Sequence, residues 1–292
     1  MVAAPILVIV GETASGKSKL AMDIALEFNG EIICADAWTI RKQADIGTAK
    51  PSKRDQTLIK HHLLNIIEPN EGFSAARFKE LANQAINEIH ARDKLPIMVG
   101  GSGLYIDAVV YDYNFLPSAN TELRDYLNNL SISQLLQIIE KDKVSIKDID
   151  LKNKRRLIRL IETKGELAKK NELTDNLLIL GLLIDRKELK ENITKRLDVM
   201  IAAGLIEEVR GLEKNYGWDC PALQAVGYRE WRSYLKGEET LELVKQKIIK
   251  NNMELTKKQR TWFKRNKSIH WISTEVKYTV AVDILTSYLH SI

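Results

Sequence analysis

Apolar residues recur along this chain with two different periods. Short, nearly continuous apolar runs rich in Ile, Val and Leu occupy residues 6–10, 31–35, 96–99 and 177–184, and a weaker one spans 268–273. Runs this short, with no alternation, suit strands buried on both faces, as in a parallel sheet. Between the runs, apolar residues return every three or four positions. Leu20, Ile24 and Phe28 do so after Lys17; Phe78, Leu81, Ala82, Ala85, Ile86 and Ile89 do so over 75–91; Leu189, Ile193, Leu197, Met200 and Ile201 do so over 187–203. That spacing predicts amphipathic helices, with Ser74 capping the second and Gly204 just beyond the end of the third. Further helices are predicted from Leu205, over 241–266 and over 276–289. Strand and helix alternate, so the fold class is α/β with a parallel sheet flanked by helices.

From Leu116-Pro117 to about Asp175 the alternation breaks. Helical patterns appear at 123–127, 135–139 and 157–161, with no convincing strand. An all-helical insertion over 116–176 is therefore expected within a core made of 1–115 and 177–292.

Composition narrows the class without naming a function. The 292 residues are 45% hydrophobic and 28% charged, which is ordinary for a globular chain able to bury a large core. Cys34 and Cys220 show no metal-like spacing, which points to a reducing compartment. No apolar run approaches the roughly 18 residues of a membrane helix, and the N-terminus lacks a signal-peptide layout. A cytoplasmic monomer without membrane contact is expected.

The strongest chemical signal follows the first strand. Gly11, four residues, then Gly16-Lys17-Ser18 is a phosphate loop in its required context, with a strand before it and a helix after. Backbone N–H groups from Gly11, Thr13, Ala14, Ser15 and Gly16 can converge on phosphate oxygens, the helix adds its positive end, Lys17 adds a charge, and Ser18 can ligate Mg²⁺. The core is thus expected to be P-loop NTPase-like. Asp36 ends the second strand, where α/β folds place ligands. The strand at 96–99 ends in Gly100-Gly101-Ser102-Gly103, whereas an ordinary ATPase of this class has a magnesium-binding acid at such a strand end. The nearest acid at a strand end is therefore Asp36, and Ser102 is a small donor beside a flexible backbone. His61 and His62 are neighbours on an extended segment and point to opposite faces, which favours packing or hydrogen bonding over shared metal ligation.

Net charge is only +5, but it is unevenly spread. Lys152, Lys154, Arg155, Arg156 and Arg159 crowd one short stretch, with Asp148 and Asp150 just upstream. Nine Lys or Arg lie between Lys245 and Lys267, interrupted by Trp262 and Phe263. Basic side chains interleaved with aromatics suit a nucleic-acid strand; a basic helix that packs its Trp into the core is the alternative.

Taken in order, Thr13-Ala14-Ser15-Gly16-Lys17-Ser18, Asp36, Asp45-Ile46-Gly47-Thr48-Ala49-Lys50-Pro51, His61-His62-Leu63-Leu64, Gly100-Gly101-Ser102-Gly103-Leu104-Tyr105, Gly204-Leu205, Gly227-Tyr228 and Lys258-Gln259-Arg260-Thr261-Trp262-Phe263 resemble the bacterial tRNA dimethylallyltransferases over nearly the whole chain. The resemblance implies transfer of a dimethylallyl group from its diphosphate, held by the phosphate loop with Mg²⁺, to N6 of the adenosine 3′ of the anticodon. It implies a catalytic role for Asp36, with Ser102 standing where the family usually has threonine. It also implies contacts to the anticodon stem-loop from Asp36, Ala37, Trp38, Thr39, Ser102, Arg124, Arg155, Arg156, Arg159, Gln224, Gly227, Tyr228, Arg229, Lys257, Lys258, Gln259, Arg260, Trp262 and Lys264. Two departures stand out. Ala37-Trp38-Thr39 replaces the usual Ser-Met-Gln, in which the glutamine reads the base. Glu12 replaces a usual proline and puts an acid beside a diphosphate, which requires its side chain to point away or toward Mg²⁺. The phosphate loop alone would equally fit a small-molecule or nucleoside kinase using ATP.

Overall fold

The computed structural model describes residues 5–116, 120–146, 149–174 and 176–292. Pro117, Asp148 and Asp175, which entered the reading of the insertion, lie outside the described residues. The chain forms two compact units, one up to Val110 and from Leu173 onward, the other Tyr111–Glu172.

The larger unit begins with β1 (Ile6–Gly11), α1 (Lys17–Glu27), β2 (Gly30–Cys34), α2 (Lys53–Leu58), β3 (His61–His62), α3 (Ala75–His90), β4 (Leu95–Gly100) and α4 (Gly103–Val110). The smaller unit contributes α5 (Thr121–Asn129), α6 (Ile132–Lys141) and α7 (Lys154–Glu162). The larger unit resumes with β5 (Leu177–Leu183), α8 (Arg186–Ala202), α9 (Leu205–Tyr216), α10 (Trp231–Leu235), α11 (Leu241–Phe263), β6 (Ile269–Ser273) and α12 (Lys277–His290). The six strands form one sheet in the order β3-β2-β4-β1-β5-β6, every pair parallel. The strands predicted from apolar runs and the helices predicted from periodicity are all present.

Both sheet faces are covered, as a parallel sheet requires. Leu7, Ile9, Ile32, Cys34, Val99 and Leu180 face α1 and α12, and the intervening Val8, Val10 and Ile33 are also fully buried. Ser74 accepts from the Arg77 N–H and so caps α3, and Gly204 adopts φ +100° where α8 ends and α9 begins. A second cluster packs α8 to α11 around Tyr228 and Trp231, both nearly sealed from solvent. The smaller unit has its own core of Leu127, Leu135, Ile139, Leu157, Ile158 and Leu160.

His61 and His62 do diverge on β3. The His61 Nδ1 lies 2.7 Å from the Ile59 carbonyl, and the His62 Nε2 lies 2.7 Å from Glu31 Oε2. Both imidazoles are engaged in hydrogen bonds at the edge of the sheet. No helix among the described residues is long and apolar enough to cross a membrane.

Candidate active site

The phosphate loop joins β1 to α1 at the carboxyl end of the sheet. Ala14 (φ +64°) and Gly16 (φ +86°) take left-handed backbone conformations, and the loop curls so that Lys17 Nζ donates back to the Glu12 carbonyl at 3.1 Å. Burial pushes the Lys17 ammonium down to about 8; Asp36 and Glu12 raise it, and Arg196 lowers it. A cavity of about 780 Å³ opens beside this loop, within the range of small-molecule sites. Thr13, Lys17, Ser18, Asp36, Trp38, Thr39, Ser102, Arg196, Tyr228 and Gln259 all line it.

Asp36 follows β2 directly. Its Oδ1 accepts from the Trp38 N–H at 2.8 Å, which holds the carboxylate in a local turn. Ser102 Oγ accepts from the Ala37 N–H at 3.0 Å, so its own hydroxyl proton is left to donate into the cavity. Thr39 is 7% exposed, and its Oγ1 has no protein partner.

Glu12 is accounted for by tertiary structure. It is 2% exposed, and its Oε2 accepts from Arg260 Nη2 at 2.5 Å; Arg260 also donates to the Ile184 carbonyl at 2.8 Å. The carboxylate thus points away from the loop's cavity and is neutralised by α11. One residue earlier, Gln259 bridges two parts of the site: its Oε1 accepts from the Thr13 N–H at 2.9 Å and its Nε2 donates to the Gly101 carbonyl at 3.1 Å. Trp262 Nε1 donates to Asp107 at 3.0 Å, and its ring lies so close to Gly103 that an added Cβ would come within 2.3 Å of it. The glycines after β4 therefore admit α11 against the phosphate loop.

Of the α11 residues expected on RNA, Gln259, Arg260 and Trp262 have polar atoms engaged within the protein, where this face of the helix braces the loop. Lys257, Lys258 and Lys264 occupy the exposed face. Tyr228 is similarly internal. Its hydroxyl donates to Glu208 Oε1 at 2.6 Å, and burial followed by the Glu208 charge pushes the phenol well above its ordinary value. Gly227 is buried too, and its N–H donates to Glu230. Gln224 and Arg229 remain exposed; Gln224 donates to the Trp218 carbonyl and Arg229 to Glu230. In the smaller unit, Arg124 forms a two-pronged pair with Glu162, and Arg159 donates to Glu162 and to the Leu116 carbonyl. These two arginines link α5 and the Leu116 carbonyl to α7, and Arg124, Arg155 and Arg156 are all exposed.

Two residues escaped the sequence reading. Arg196 lies on α8 within the cavity wall, desolvated and close enough to Asp36 to feel its charge. Its signal was a lone arginine inside the apolar stripe of α8, three residues after Ile193 and one before Leu197. Glu208 on α9 was the other. Its Oε2 accepts the N–H groups of Asp45 and Ile46 at 2.8 Å, and its Oε1 accepts that of Gly47 at 3.0 Å, so it fixes the loop whose residues 47–52 line the cavity.

Comparison with known proteins agrees with this geometry. Residues 40–266 match the IPP transferase family model. The tRNA dimethylallyltransferase of Acetivibrio thermocellus is 39% identical over 294 residues, covering 92% of each chain; that of Anoxybacillus flavithermus is 39% identical over 277 residues, covering 91% of this chain and 89% of its own. The crystal structure of a tRNA isopentenylpyrophosphate transferase from Bacillus halodurans superposes with a TM-score of 0.77 at 33% identity, covering 98% of this chain and 97% of that one. The parallel sheet, the phosphate loop facing Asp36 and Ser102, and these full-length matches place the chain in the IPP transferase family, the family of the bacterial tRNA dimethylallyltransferases.

Proposed function

We propose that this protein transfers a dimethylallyl group from dimethylallyl diphosphate to N6 of the adenosine 3′-adjacent to the anticodon of tRNA, releasing diphosphate. The observation that carries the reading is the single cavity that brings Lys17, Ser18 and Arg196 together with Asp36 and Ser102. One set of groups suits a diphosphate, the other suits an amine that must lose a proton.

In this reading the phosphate-loop N–H groups, Lys17 and Arg196 hold the diphosphate. As the C1–O bond of the donor breaks, its electron pair leaves on the diphosphate, and these preorganised donors, typically worth ~3 kcal/mol each, meet the developing charge. Ser102 donates its free hydroxyl proton to the same leaving group. The N6 lone pair is delocalised into the adenine ring, so attack on C1 needs the amine proton to depart. Asp36 accepts or orients that proton, a role worth roughly 10²–10⁴ in rate. Ser18 and Asp36 present hard oxygen atoms on one cavity wall, a donor set that suits Mg²⁺ with the remaining positions left to phosphate and water. Mg²⁺ held there would supply charge neutralisation at the diphosphate.

The adenine reaches the cavity by leaving the anticodon-loop stack, at a cost of a few kcal/mol. Trp38 and Thr39, which line the cavity, receive it in place of the glutamine usual in the family. Lys257, Lys258 and Lys264 on α11, and Arg155 and Arg156 on α7, supply phosphate contacts to the flanking RNA. The protein acts in the cytoplasm as a monomer.

The test is direct. The protein is incubated with labelled dimethylallyl diphosphate, Mg²⁺ and unmodified tRNA, and the RNA is digested and analysed for N6-modified adenosine. Label in that nucleoside supports the reading. ATP turnover without RNA, and no label in tRNA, would make the protein a kinase instead.

A further inference from the structure

The far edge of the sheet brings a second lysine to the phosphate loop. Gly11, where the loop begins, pairs with Leu182 of β5, and Leu182 pairs with Ile272 of β6. The chain therefore leaves β6 level with the loop and two strands away, about 10 Å at the usual strand spacing. The turn at 274–276 and the first residue of α12 close that gap. A Cβ added to Gly16 would lie 3.3 Å from Lys277 Nζ and 3.6 Å from its Cε, so the ammonium rests against Gly16 itself.

Lys277 is placed there by packing. Ala281 and Leu285 of α12 share a core cluster with Leu20 and Ile24 of α1, which fixes the start of α12 beside the start of α1. Among the described residues, the hydrogen bond of the half-buried Lys277 ammonium is a long one, 3.4 Å to the Thr274 carbonyl. The acids of α1 are engaged elsewhere: Asp23 pairs with Lys19, and Glu27 accepts from the Tyr278 hydroxyl. A cation at the positive end of a helix is unfavourable when no anion is present and favourable once one binds. Lys17 and Arg196 face the anion site from the cavity, whereas Lys277 reaches the loop from the β6 side. A diphosphate carries more charge than Lys17 alone can balance.

We infer that Lys277 is a further residue for diphosphate binding: its ammonium adds positive charge to the phosphate loop at Gly16 from outside the cavity and strengthens the hold on the anion. The inference rests on the reading of the loop as a diphosphate site and adds to it a cation from the C-terminal helix. The effect is one of charge, so it concerns the diphosphate and not the prenyl chain.

Affinities for inorganic diphosphate and dimethylallyl diphosphate are measured with Mg²⁺ on the full chain, on Lys277→Met and on Lys277→Glu, at low salt and at about 0.5 M salt. Lys277→Met keeps the apolar stem and removes the charge. It should weaken both ligands alike, by roughly 3–10-fold at low salt, and Lys277→Glu should weaken them further. Both losses should shrink at the higher salt, where exposed charges act over only a few Å. Unchanged affinity in Lys277→Met overturns the inference. So does a loss that fails to deepen in Lys277→Glu or to shrink with salt, since that marks a packing role. Failure of the unaltered chain to bind either ligand would instead overturn the reading of the phosphate loop, and this inference with it.

Discussion

Glu12 Oε2 and Arg260 Nη2 stand 2.5 Å apart, an ion pair joining the phosphate loop to α11 across nearly the whole length of the chain. The carboxylate is almost fully buried; Lys17 is near enough to feel its charge, but among the described residues Arg260 is the cation that hydrogen-bonds it, and without Arg260 that buried charge loses its direct partner. Arg260→Ala should therefore destabilise the fold by about 3 kcal/mol, the cost of stranding a buried charge, and weaken donor binding. Thermal unfolding and donor KM measure the two effects. Adding Glu12→Gln should recover most of both losses; a double variant no better than Arg260→Ala would contradict the pairing.

Gln259 separates two roles for α11. As a brace, it satisfies the Thr13 N–H and the Gly101 carbonyl. Gln259→Ala leaves both without their partner, a cost of about 1–3 kcal/mol, and should raise donor KM while tRNA affinity stays within a few fold. Loss of tRNA affinity with unchanged donor KM would show that the side chain contacts RNA instead.

Asp36→Ala removes the carboxylate that directly follows β2 and lines the cavity with Ser102. Prenyl transfer should fall by roughly 10²–10⁴ or more, with tRNA binding within a few fold. Full activity in this variant would refute the catalytic assignment.

Lys17 links donor binding to pH. Its ammonium titrates near 8 because burial outweighs the attraction of Asp36 and Glu12. The protonated form attracts diphosphate, so kcat/KM for the donor should be highest below that value and decline as pH rises through about 8. Lys17→Arg should move the decline beyond the measurable range, since arginine keeps its proton, and Lys17→Ala should collapse donor affinity at every pH.

A stability effect is expected at the β2–β3 edge of the sheet. Glu31 on β2 is buried; burial alone would raise its pKa, but hydrogen bonds from Arg92, His62 and Lys94 bring it down to about 2. A carboxyl depressed in the folded state contributes stability above its unfolded value near 4.5, and loses it as pH falls toward 2. Acid unfolding monitored by circular dichroism should show that slope between those limits, and Glu31→Gln should flatten it.

Much of this protein was legible before any fold was known. Unbroken apolar runs mark strands because a parallel sheet is buried on both faces, and the phosphate loop is local chemistry, readable wherever a strand, a glycine turn and a helix follow one another. Asp36 and Ser102 were legible for the same reason, since strand ends converge in an open parallel sheet. The segment 257–264 was harder. Its composition of Lys, Gln, Arg and Trp suits RNA or a packed helix equally well, and periodicity cannot say which face meets the phosphate loop.

The sequence by itself determined the strands, their helices, the phosphate-loop motif and the strand-end acid, because those follow from short-range periodicity and a contiguous motif. Only tertiary structure decided that Arg260 neutralises Glu12, that Gln259 ties Thr13 to Gly101, that Glu208 holds the loop at 45–47, and that Arg196 reaches the cavity. Each joins residues far apart in the chain, and such charges and donors are indistinguishable from solvated ones until folding removes their water.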